Sequence, residues 1–217
     1  PILAISSHLT LLTGIAGINV YIVRILKLPF DISLHFYFFF FVGVIITGIL
    51  KMFFYSSVGA GFLGTLGSSA LLYVSIHWII LGNTINIPLL YIQGLLLGFG
   101  ASMTLVSGSM ATLLDGDLKE AAQRSQTMHT IRNFSAAMLI PIIAYTIKNH
   151  IQKGTQSIYA ENITDKMIYL KKLQDVAIDA DHQIFLLMII FNMVMFVSSI
   201  IQMILGKGRR ITPPRES

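Results

Sequence analysis

PLLYIQGLLLGFGASMTLVSGSMATLLDGDLKEAAQRSQTMHTIRNFSAAMLIPIIAYTIK, residues 88–148, sets two long apolar runs around one short charged connector. Leu89 to Leu114 contains no charged residue. It exceeds the roughly 20 helical residues needed to cross a hydrocarbon core about 30 Å thick. Met128 to Ile147 carries a single charge, Arg132, one turn inside its start. Two such runs joined by a tight polar link predict a helical hairpin in a membrane, with the rest of the chain packed around it.

The composition agrees. Of 217 residues, 54% are hydrophobic and 12% charged, about half the charged share of an ordinary soluble domain. Mean hydropathy is +0.74. A soluble core of this size cannot hide so much apolar surface, so lipid must cover the remainder. Cys is absent, which excludes a disulfide framework and thiolate metal sites. The net charge of +5 is concentrated at Lys207, Arg209, Arg210 and Arg215. A basic tail beside a span marks the cytoplasmic face and is no nucleic-acid patch. The chain opens on Pro1, inside an apolar run and with no basic n-region, which reads as part of a longer protein and not as a signal peptide.

Taken in order, the spans are 2–23, 33–54, 58–81, 89–114, 128–147 and 183–205. Arg24, Lys27 and Pro29 close the first. The second has the aromatic block Phe36 to Phe41 near one end and Lys51 near the other, as interface anchors do. In the third, Ala60, Gly64 and Ser68 recur every fourth residue, and in the fourth Gly94, Gly98 and Ser102 do so. Small residues at that spacing let a neighbouring helix approach closely. Pro141 is tolerated in the fifth span when neighbours satisfy the carbonyl it frees. Residues 148–181 form the one long polar segment and read as an external loop with a short surface helix. Residues 207–217 form the basic tail. An even number of spans puts both ends on one side, with the 115–124 connector inside. Arg24 and Lys27 then fall outside, against the positive-inside trend.

With GLLLGFGASMTLVSGSMATLL, a connector holding KEAAQRSQ and a helix opening TIRNFSAA, the chain resembles the second half of the major facilitator superfamily, in particular its fourteen-spanning drug–proton antiporters. The matching positions are Glu120, Ala121, Ala122, Arg132, Ser135 and Ala136, and Asp181 to Phe185 fits the opening of that branch's last helix. The resemblance implies an all-α membrane protein whose six transmembrane helices form one bundle, the C-terminal half of such a transporter. It further implies proton-coupled efflux of drugs or other small molecules across a plasma (bacterial inner) membrane, with an N-terminal half of six to eight helices as partner. Three departures stand against it. Gly48-Ile49-Leu50-Lys51 lacks the acid of the usual Gly-x-x-x-Asp-Arg loop, Ala122 replaces the connector glycine, and the antiport signature belongs to the other half. The alternative is a six-span scaffold or accessory subunit with no transport of its own.

The expected spans hold no Asp or Glu, so a coupling carboxylate is expected in the other half, unless a His serves. His8 titrates near neutrality when unperturbed and shares a helical face with Asn19. It reads either as a cavity residue or as a His hydrogen-bonded between helices. Gln93 and Met103 are further cavity candidates, with interhelical bonding and packing as the plainer readings. Glu120 and Arg132 are candidates for the connector gate, although Arg132 can equally snorkel at a span entrance. Asn192 reads as an interhelical hydrogen-bonding group. No carboxylate pair, Ser/Lys dyad or metal-ligand spacing occurs in the spans, so neither an enzyme, a cofactor nor a metal site is expected. Asp115-Gly116-Asp117 lacks the later ligands of a calcium loop, and Asn162-Ile163-Thr164 is a glycosylation sequon.

Overall fold

The computed structural model describes residues 2–82, 84–114, 118–160 and 165–205. The basic tail, the Asp115–Asp117 triplet and the Asn162 sequon lie outside them. The described chain is all-helical, with no strand. Helix α1 (Ile2–Asn19) runs into a π-helical segment, Val20–Ile25. It is followed by α2 (Phe30–Trp78), α3 (Ile87–Leu114), a 3-10 turn at Leu118–Glu120, α4 (Ala121–Ala160) and α5 (Lys166–Ile204). Among the described residues six helical segments are long and apolar enough to cross a membrane, because α2 supplies two, Phe30–Tyr55 and Ser57–Trp78.

The division of α2 falls at Gly59, whose φ of 77° and ψ of 168° interrupt the helix. A side chain rarely adopts that backbone, so glycine is the residue that lets the chain turn there. The direction of each half follows from its partners on α3. Gly94 and Gly98 lie against Phe36 and Phe40 of the first half, so those segments run parallel. Gly67 meets Met103 while Trp78 meets Gln93, so the second half runs antiparallel to α3. Extended to α1, which pairs Ala4 with Gly108, and to α5, which pairs Gly64 with Ser199, the contacts make the six spans alternate in direction. Ile2 and Ile204 therefore lie at one end of the bundle, and the 79–82 connector lies at the other.

The small-residue repeats act as backbone contact points. A Cβ on Gly98 would run into the carbonyl of Phe40, and one on Gly43 into that of Leu95. Thr47 Oγ1 donates to the Phe99 carbonyl at 3.1 Å, and Lys51 Nζ to that of Ser102. Lys51 thus tethers two helices rather than only anchoring at an interface. Asn192 Nδ2 donates to the Leu71 carbonyl at 3.1 Å and to Ser75 Oγ at 3.0 Å, the interhelical bonding expected of it. The core gathers around Trp78, with ring centroids 6.3 Å from Phe36 and 5.3 Å from Phe185.

Residues 148–181 differ from the expected loop. Helix α4 continues to Ala160 and α5 begins at Lys166. At 40 and 39 residues, the two helices are each about 60 Å long, about twice a hydrocarbon core. Their adjoining ends form a helical hairpin in which Gly154 packs on Val176 and both Ile158 and Ile178 are buried. Asp165 caps α5 by accepting from Met167 N at 2.7 Å. Low hydropathy read as loop, yet Lys, Leu, Gln and Ala through 171–177 are good helix formers.

The inward stripe of α5 is Ile178, Asp181, Phe185, Met188, Asn192, Met195 and Ser199, all buried. It steps alternately three and four residues, the spacing of a helix seam. The expectation of spans without an acid is therefore corrected: Asp181 sits inside the bundle, 1% exposed.

Candidate functional site

Helix α4 is the least covered span. Only 6% of its most apolar stretch is buried, against 50% for α1 and for α3. Along the flank where α4 meets α1 and the end of α3, the expected site residues partly converge. A cavity of about 420 Å³ opens between α3 and α4, with Thr112, Glu120, Arg124 and Met128 on its wall. Glu120 is paired with Arg124 across one helical turn at 3.5 Å, and Arg124 also donates to the Leu113 carbonyl at 3.1 Å. That contact staples the connector to α3.

Arg132 lies two turns further along α4, and its Nη2 donates to His129 Nδ1 at 2.8 Å. Its Nε is buried and unpartnered. His8, half-buried on α1, is near enough for its charge to interact with that of Arg132. One flank thus brings together His8, Glu120, Arg124, His129 and Arg132. Its carboxylate is already engaged, which leaves hydrogen-bond donors at Arg132 and at the imidazoles. A wall of that kind suits a ligand bearing acceptor oxygens or a negative charge.

The other expected residues are placed elsewhere. Asn19 shares the half-buried strip of His8, Leu12 and Ile15. It lies three turns along α1, where its amide comes within hydrogen-bonding reach of the Tyr37 hydroxyl. Gln93 is 1% exposed and its Oε1 accepts from Trp78 Nε1 at 2.8 Å. Met103 is buried against Gly67. Both are buried residues that α3 turns toward α2.

Two features escaped the sequence reading. His129 lies one turn before Arg132, a spacing of three that places the pair on one face. Asp181 completes the α5 seam, a signal legible only once that helix is extended back through Ile178.

The described chain is thus a bundle with six segments able to cross a membrane, a polar flank on α1 and α4, and one fully buried carboxylate. No family model matches the chain, and neither a curated protein nor a solved structure matches it.

Proposed function

We propose that this chain is the C-terminal six-helix half of a secondary transporter of major-facilitator type, which expels small molecules in exchange for protons. The observation that carries this reading is the bareness of α4 beside the His8–Arg132 flank. A spanning helix whose partly polar rim lacks a covering neighbour fits a second bundle set against it, with cargo held between the two. The alternation of six spans and the sequence resemblance of 94–136 support the same reading. In it, spans one, two, four and five line the cavity, the lipid bilayer covers spans three and six, and the basic tail faces the cytoplasm of a plasma membrane.

Efflux by the whole protein, with and without a proton uncoupler, tests the proposal. Collapse of the gradient should stop efflux; efflux that persists removes proton exchange, and none at all favours the scaffold. Arg132→Ala and His8→Ala should each lower efflux by about tenfold or more at unchanged expression. That is the loss expected when a hydrogen bond to a charged group, worth about 1.5–3 kcal/mol, disappears. Normal efflux in both variants would remove the flank from the site.

A further inference from the structure

The Asp181 carboxyl is fully enclosed, and neither of its oxygens has a hydrogen-bond partner among the described residues. Its position follows from the register of α5. Gly14 and Gly17 of α1 meet Met188 and Phe185, and the same antiparallel spacing sets Tyr21 opposite Asp181, close enough for their charges to interact. On the other side, His182 Nε2 lies 2.8 Å from the Leu81 carbonyl oxygen, so Asp181 falls beside Gly82. Two neighbouring groups are already engaged elsewhere. The Tyr21 hydroxyl donates to the Gly82 carbonyl, and the His182 ring is held by Leu81.

An isolated carboxylate in such surroundings is strongly disfavoured, whereas the neutral acid is tolerated. Among the described residues no cation bonds it. The other ionisable groups on the packed elements at this end include Arg24 and Lys27 beyond Tyr21, Asp31, His35 and His77 on α2, Lys148 and His150 on α4, and Asp179 and His182 on α5. Arg24, Lys27, Asp31, His35, Lys148 and Asp179 are exposed, and His77 stacks on Tyr73 with centroids 6.1 Å apart. His150 is half-buried on α4, and neither it nor any other of these groups bonds the carboxyl. Nor does a cluster of three or more His, Asp or Glu surround it among the described residues, so its surroundings do not resemble a multivalent cation site.

Two features lie beside this acid at the end of the bundle. Gly82 has open space around its Cα, where an added methyl group would meet no atom within 4 Å. The α1 segment facing Asp181 is the π-helical Val20–Ile25. Such turns are frequent at functional sites because their hydrogen-bond ladder is already broken and can shift register.

We propose that Asp181 is a proton-exchange site, neutral while α5 packs as seen here and ionised when the 79–82 end of the bundle admits water. In the exchange the carboxyl O–H bond breaks, the proton passes to water, and the carboxylate stays on Asp181; protonation reverses this. Its service as the coupling group of a carrier rests on the transport reading, but its titration does not.

Infrared difference spectra of the whole protein in lipid vesicles, taken across a pH titration, test the site. The chain holds ten Asp and Glu, so the Asp181 signal is the part of the wild-type carboxylic-acid carbonyl band that Asp181→Asn lacks; that component should be present in acid and disappear as pH rises. Labelling of the wild type by an apolar carbodiimide should modify the peptide holding Asp181. That labelling should weaken by about tenfold per pH unit above the midpoint, with no dependence on sodium. A band and labelling that persist unchanged at all pH values, absence of both, or displacement by sodium at fixed pH would each overturn the proposal. Neither readout needs a cargo, so a negative titration leaves the efflux test standing, and absent efflux leaves the titration standing.

Discussion

Gly98→Val should prevent the chain from settling into a stable bundle, while Gly48→Ala should leave it intact. At Gly98 the obstacle is the Phe40 carbonyl on the first half of α2, and Gly43 is set in the same way against Leu95. The neighbours there are backbone atoms, which have no rotamer to change. Two helices would have to separate, and with them the Thr47–Phe99 and Lys51–Ser102 bonds. Overpacking typically costs about 1–3 kcal/mol, and the upper end or more is expected where backbone must move. A methyl group on Gly48 meets nothing within 4 Å. Replacing that helical glycine should gain up to about 1 kcal/mol of propensity. Denaturant unfolding in detergent, followed by circular dichroism and size exclusion, compares the two. Equal stability would show that α2 and α3 do not meet through this glycine face.

Trp78→Ala should destabilise the bundle by about 3–5 kcal/mol, the range for deleting a large aromatic from a core. Trp78 is 0% exposed, lies between Phe36 and Phe185, and holds Gln93 through its indole N–H. Trp78→Phe should be milder in volume yet still lose about 1–3 kcal/mol, because the Gln93 amide, whose Nε2 is already unpartnered, then loses its indole partner as well. Adding Gln93→Leu to Trp78→Phe should recover part of that loss. Full additivity of the two changes in a double-mutant cycle would show that the indole–amide bond contributes nothing. The same aromatic packing seats Asp181 one turn from Phe185.

The long apolar runs of 88–148 are enough to read a helical membrane bundle, since lipid imposes a length and a hydropathy that few other environments do. The fourth-residue repeats of Gly and Ser marked which faces come close, and Asn192 announced an interhelical bond. Polarity misled at 148–181. Those residues are hydrophilic because two helices run on together beyond their apolar stretches, with Gly154 against Val176, Tyr159 beside Tyr169, and Ile158 and Ile178 buried. The same error left Asp181 at the edge of the loop, just outside the expected span 183–205.

Pairings between distant segments were beyond the sequence. Hydropathy assigns a residue to a span but not to a side of it, so Gln93 and Met103 looked as suited to a cavity as His8. The register of α3 against α2 turned them inward, while α1 and α4 brought His8, His129 and Arg132 to one flank. What the chain determined by itself is the number of segments long and apolar enough to cross a membrane, six among the described residues, because that depends only on local composition and the reach of a helix. The environment of Asp181 and the makeup of the polar flank depend on how five helices interlock, and that is decided by contacts between residues more than a hundred apart, such as His182 with Leu81 and Gly14 with Met188.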